Sequence, residues 1–228
     1  MLAITLLSLA LATVAFALPN EKRSCDVSKA KMSLPSTLIS PTATPSFIAV
    51  AIGTQNYTCG ASGTYTNTGA VAELFDMSCL YNTPLYSKIP DDAYTLWKLA
   101  PSFLKAQTVI SLLSYTSTPV VLGQHYYVPN PITGTGASPK WDFTSQGAYK
   151  GDADAFVVAA KSAGTTAPVG SRDVDWVLLT SIQGSLASEV YRIDTRGGQP
   201  PASCTPGSAP IAVKYAAMYW LFGGSVKK

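Results

Sequence analysis

A chain of 228 residues with 47% hydrophobic and 13% charged residues is too apolar for disorder and long enough for one ordinary domain. Its formal net charge of +3 comes with scattered Lys and Arg, the densest cluster being Lys29 and Lys31, so the concentrated basic face of a nucleic-acid binder is excluded. The 12 tyrosines, 17 glycines and 16 prolines favour strands joined by many turns over long helices.

Leu2 to Leu18 is almost wholly apolar and ends in Ala15-Phe16-Ala17, a small-x-small cleavage pattern. It is short for a membrane span and reads as a signal peptide over residues 1–17. The expected location is therefore secreted, extracellular or at the cell wall. Glu21-Lys22-Arg23 offers a dibasic processing site, which makes 18–23 a candidate propeptide. Residues 24–228 then form a single β-rich domain with its core at 47–222. No later apolar run is long and unbroken enough to span a bilayer. Cys25, Cys59, Cys79 and Cys204 in a secreted chain argue for two disulfides, with every pairing open on composition alone. No two cysteines stand at zinc-ligand spacing and the chain has 1 His, so no metal is expected.

In chain order, Cys25 to Pro45 is a polar leader that Pro35, Pro41 and Pro45 keep extended. Phe47 to Ile52 is an apolar strand, and Gly53 allows a bend or bulge before a second strand, Thr54 to Cys59. In that second strand Gln55, Tyr57 and Cys59 share the buried face, which turns Asn56 outward. Asn56-Tyr57-Thr58 is an N-glycosylation sequon and Asn56 its acceptor. Gly60 to Gly69 reads as a hairpin or loop, and Ala70 to Asp76 as a strand. Asp91 or Asp92 caps a short helix through Leu96, Trp97 and Leu99 that stops before Pro101.

Two further apolar runs follow, Thr108 to Leu113 and Pro119 to Val128. Residues 129 to 140 read as a surface loop, and Trp141-Asp142-Phe143 as a short strand. Asp154 to Ala163, Asp173 to Ser181, Glu189 to Asp194 and Ile211 to Phe222 complete the strands. Neither a repeat nor a linker interrupts them. The fold class expected is all-β, a single-domain antiparallel sandwich or barrel with one short helix and long loops.

Several motifs occur together and in order. They are Gly53-x-Gln55-x-Tyr57-x-Cys59, Ala72-x-Leu74-x-Asp76, Gly123-x-His125-Tyr126, Trp176-x-x-Leu179, a stretch from Tyr191-Arg192 through Thr195, Gly197-Gly198 and Pro201 to Cys204, and Tyr215-x-Ala217-x-Tyr219. The set resembles the secreted family known as domain of unknown function 3455, in its fungal branch, over residues 47 to 222. The resemblance implies a secreted single domain and no established activity. It also places Cys59 and Cys204 within its most specific motifs. That implies Cys59–Cys204, and leaves Cys25–Cys79 to pin the leader. Bacterial-type members look as if Gly-Pro-Thr-Trp follows the His-Tyr pair, whereas Tyr127-Val128-Pro129-Asn130 follows here. Some members carry dehydrogenase-like names. Gly134 and Gly136 have Pro139 in place of a third glycine and no βαβ unit around them, so neither a nicotinamide nor another cofactor is expected.

Candidate chemistry is sparse. His125 is a general base or ligand contact on one reading and a structural histidine bonded to backbone on the favoured one. Asp173 and Asp175 fall on one face of a strand, roughly 6–7 Å apart, a separation that glycoside hydrolysis can use. A solvated face is the plainer account of both. Tyr126, Tyr127 and Trp141 are candidates for stacking on a sugar, with Trp141 the aromatic expected to be exposed. No serine stands in a Gly-x-Ser-x-Gly turn. Two functions follow. The first is a non-catalytic binding or structural module, with cell-wall polysaccharide or another extracellular surface as partner. The second is a carbohydrate-active hydrolase using carboxylates or His125.

Overall fold

The computed structural model describes residues 25–113 and 120–226. The leader-peptide and dibasic expectations fall outside the described residues. Eight strands close into an antiparallel barrel in simple sequence order. They are β1 (Pro45–Cys59), β2 (Tyr65–Asp76), β3 (Val121–Pro129), β4 (Ala137–Asp142), β5 (Phe156–Thr165), β6 (Trp176–Gly184), β7 (Glu189–Gly197) and β8 (Ile211–Phe222). Closure is by β1 against β8, in register from Phe47 opposite Leu221 to Tyr57 opposite Ile211. Each strand therefore has two partners, although β2 meets β3 only over Ala72–Phe75 and β4 meets β5 only over Lys140–Asp142.

β1 shows why its sequence reads as an unbroken apolar run. Phe47, Ala49 and Ala51 point into the barrel, while Ile48, Val50 and Ile52 point outward, and both sets are buried. The outer set is covered by the leader, through Val27 and Leu38, and by helix α1 (Ile89–Leu99). Gly53 does not break the strand: β1 runs straight through it, and the register shifts later, between Asn56 and Tyr57. The physical reason is crowding. A Cβ on Gly53 would lie 2.1 Å from the Val71 carbonyl oxygen.

Helix α1 is longer than the sequence reading and begins without the expected cap. Its N-cap, Lys88, makes no side-chain capping bond, and Pro90 occupies the first turn. Asp91 instead accepts from Arg196 Nε at 2.5 Å and from Arg196 Nη2 at 3.0 Å. Trp97 anchors the helix on the barrel: it is 1% exposed and its indole N–H donates to the Gly53 carbonyl at 2.7 Å. Lys214 of β8 closes the other end, donating to the carbonyls of Trp97 at 2.9 Å and Ala100 at 2.6 Å. A cation on the last carbonyls also suits the helix dipole. Thr108 to Leu113 falls in a second helix, α2 (Ala106–Leu113).

Residues 137–140, read as loop, are the first part of β4, so the connection is only 130–136. The turn signals there come from Gly134 and Gly136, both at positive φ with open space around them.

The cysteines form Cys25–Cys79, which ties the leader to the turn after β2, and Cys59–Cys204, which ties the end of β1 to the β7–β8 connection. Glu73 faces outward on β2 yet is 1% exposed, and Gln146 Nε2 donates to its Oε1. Glu73 Oε2 and Gln146 Oε1 have no other partner. A neutral carboxyl can pair with a primary amide through two bonds, which would serve both atoms. Burial pushes the Glu73 carboxyl up to about 8, against the bond from Gln146, in keeping with that neutral form.

Candidate binding site in the barrel lumen

The two ends of the barrel differ in chemistry. At the end where β1 begins, Phe47 packs edge-on against Phe143 and Tyr149, both with centroids 5.4 Å away. Leu122, Leu186 and Leu221 join the same buried cluster and plug that end. Towards the other end, the inward positions of the strands turn polar and aromatic. They line an open-mouthed cavity of about 610 Å³, bordered among others by Gln55, Tyr57, Asn67, His125, Tyr127, Trp141, Asp175, Arg192 and Tyr219. That volume lies within the range of small-molecule sites, about 300–1,000 Å³.

His125 and Trp141 face each other across the β3–β4 register and stack, centroids 4.5 Å apart. Tyr219 of β8 stands beside both, 5.5 Å from His125 and 5.4 Å from Trp141. His125 Nδ1 lies 3.0 Å from the Lys140 carbonyl oxygen. A carbonyl only accepts, so Nδ1 carries the proton. Burial drives the imidazole down to about 3, against that backbone bond and with a further push from the Arg192 charge. The ring is neutral throughout the physiological range.

Arg192 enters from β7, between Val177 and Tyr219 in the register. Its Nε and Nη2 donate to the Asp175 carbonyl at 3.1 Å and 2.9 Å, which fixes the guanidinium against the wall. Burial raises the Tyr127 and Tyr219 phenols, and the Arg192 charge opposes that rise at both. Tyr57 donates its hydroxyl to the Gly198 carbonyl at 2.9 Å. Gly198 is at φ 89, and a Cβ there would meet Tyr215 and Val174 at 2.9 Å, so the Gly197-Gly198 pair lets the chain pass tightly over this end.

Two buried donors on the lining stand without partners, Gln55 Nε2 and Trp141 Nε1. Gln55 is 2% exposed, and its Oε1 already accepts from Asn67 at 3.2 Å. Unpaired buried donors cost about 1–3 kcal/mol each, so such groups commonly mark a place where another molecule supplies the acceptor.

Of the residues singled out in the sequence, His125, Tyr127, Trp141 and Asp175 meet in this lumen. Tyr126 does not. It faces the other way, where its hydroxyl donates to Asp142 at 2.6 Å beside the Lys140–Asp142 ion pair. Burial works against ionisation of Asp142, and the bonds from Thr144, Tyr126 and Lys140 overcome it, holding the carboxyl at about 2. Asp173 is also structural: its Oδ1 accepts the Gly197 N–H at 2.5 Å. Asp175 lines the cavity and Asp173 does not. Trp141 is not exposed at all, because it lies on the inward face of β4, 1% accessible. The nearby loop of small residues does not expose it.

Gln55 and Arg192 were not singled out as site residues, although each stands in one of the quoted motifs. The signal for Gln55 was its shared face with Cys59. For Arg192 it was a charge at an inward position beside the buried Tyr191.

Residues 39–223, most of the chain, match the family model described as protein of unknown function (DUF3455). The chain belongs to that family. No curated protein and no solved structure matches the chain. Within this DUF3455 domain the motifs scattered along the sequence converge. Gln55 and Tyr57 of the first, His125 of the third, Arg192 of the fifth and Tyr219 of the last all line one cavity.

Proposed function

We propose that this DUF3455 domain is a secreted, non-catalytic binding module that takes a small ligand into the barrel lumen, acting at the cell wall or outer surface. The observation that carries the reading is the pair of buried, unpartnered donors, Gln55 Nε2 and Trp141 Nε1, on the wall of a cavity of about 610 Å³. The signal-like run at Leu2 to Leu18 supports export, and the two disulfides suit an oxidising compartment. The chemistry of the lining supports binding over turnover. Its imidazole is neutral and committed at Nδ1 to the backbone, and Asp175 is the single carboxylate on it, one short of the pair that glycoside hydrolysis uses. The same site leaves Asn56 on the outer face of β1, where a glycan would not obstruct the lumen.

The test is native mass spectrometry of the protein isolated from its own secretion medium. A bound small molecule in one-to-one ratio is expected, and Ala159→Trp, which fills the lumen, releases it. Recovered ligand should be chemically unchanged after incubation. Conversion of the ligand to product, or an equal amount bound to Ala159→Trp, would overturn the reading. Pull-down on insoluble polysaccharide, with and without Ala159→Trp, tests whether the ligand is part of a wall polymer.

A further inference from the structure

The charge of the lumen narrows the ligand class. Arg192 is held inside the barrel by two bonds to a neutral carbonyl, that of Asp175. Ion pairs among the described residues join Lys140 to Asp142 and Arg196 to Asp91, and neither includes Arg192. The other charged residues on the lining are Lys161 and Asp175, so the lining carries two cations against one carboxylate. His125 adds no charge, since burial keeps it neutral. The unpartnered groups, Gln55 Nε2 and Trp141 Nε1, are both donors, so they favour the same kind of ligand atom as the guanidinium does. An acceptor with negative charge answers all of these at once. The remaining wall is aromatic, with Trp141 stacked on His125 and flanked by Tyr219. It suits a compact organic body.

We propose that the lumen selects a small organic carboxylate, its oxygens facing Arg192, Gln55 and Trp141 and its body lying along the aromatic wall. This rests on the lumen being a binding site. Specificity would come from the buried donors, because a ligand lacking the carboxylate leaves them unpaired.

The test is calorimetric titration of the exported, two-disulfide protein at pH 7 with four carboxylates, acetate, hexanoate, benzoate and indole-3-acetate. Benzamide, benzyl alcohol and glucose serve as uncharged probes. At least one carboxylate is expected to bind saturably, with benzamide at least about tenfold weaker than benzoate. Gln55→Met keeps side-chain length while removing the amide donor. It should weaken the carboxylate at least about tenfold. Trp141→Phe keeps a ring against His125 but removes the indole donor, and should weaken the carboxylate by a larger factor than it weakens benzyl alcohol. Uncharged probes binding as well as carboxylates, or unaltered carboxylate binding by Gln55→Met, would overturn the proposal and leave the lumen site standing. If neither class binds, both the carboxylate proposal and the lumen reading fall.

Discussion

His125 and Trp141 stack inside the barrel with ring centroids 4.5 Å apart and planes 17° apart. The stack explains why the histidine of this chain behaves as a core residue. It exchanges solvent for an indole face and a backbone carbonyl, and its imidazole falls to about 3 from an ordinary 6.5. The folded state therefore favours the neutral ring. The stability this contributes is complete above pH 6.5 and is lost as pH falls towards 3. Between those values the unfolded chain binds the extra proton, at a cost of up to about 1.4 kcal/mol per pH unit. Nuclear magnetic resonance should show no titration of the His125 ring from pH 8 down to 5, and urea midpoints should fall on acidification below pH 4.5, where the Glu73 carboxyl no longer offsets the loss.

Glu73 has the opposite sign. Its carboxyl is raised from an ordinary 4.5 to about 8, so the folded state holds a proton that the unfolded chain releases. That contribution is complete below pH 4.5 and is lost as pH rises through 8. The two groups offset one another between pH 4.5 and 6.5, and stability should decline on either side of that plateau. Glu73→Gln keeps a neutral partner for Gln146 and should flatten the alkaline limb in urea titrations. Glu73→Ala strands the Gln146 amide and should cost about 1–3 kcal/mol at every pH.

The disulfides should separate in effect. Cys59–Cys204 closes a loop of 145 residues and Cys25–Cys79 one of 54. Chain entropy assigns them roughly 5 and 4 kcal/mol as upper estimates. Location distinguishes them further. Removing Cys59–Cys204 should lower the melting temperature and the yield of exported protein, because it frees the connection over the lumen. Removing Cys25–Cys79 should mainly release the leader, read as faster proteolysis and hydrogen exchange around Val27 and Leu38.

Gly53→Ala should be among the most damaging small substitutions. The new Cβ would meet the Val71 carbonyl at 2.1 Å and the Ala72 Cβ at 2.5 Å. The same residue accepts the Trp97 indole bond that seats helix α1. A loss of more than about 3 kcal/mol is expected by urea unfolding.

Much of the barrel was legible. Ile211 to Phe222 matches β8 end to end, since alternating aromatic and small residues bounded by turns specify a strand directly. Gly53 misled because a glycine inside an apolar run signals either a break or a close approach, and only the neighbouring strand decides which. Thr108 to Leu113 illustrates a second ambiguity, for a short apolar run has no period of its own. The site was harder to read. Trp141 was expected outside because of the loop before it, but its face is set by pairing with His125, information held on another strand. Arg192 was passed over because charged side chains are rarely buried, and burial here depends on barrel closure.

The most direct test of the lumen as a binding site uses the 4 tryptophans of the chain, whose indole N–H signals report from different places. Trp141 lines the lumen, Trp97 anchors helix α1 on the barrel, and Trp176 and Trp220 line a separate outer pocket. Nitrogen–proton correlation spectra recorded during titration with the tightest-binding of the four carboxylates should move the Trp141 indole signal saturably and leave the other indoles in place. A titration that leaves Trp141 fixed, or that moves Trp176 and Trp220 instead, would contradict the account.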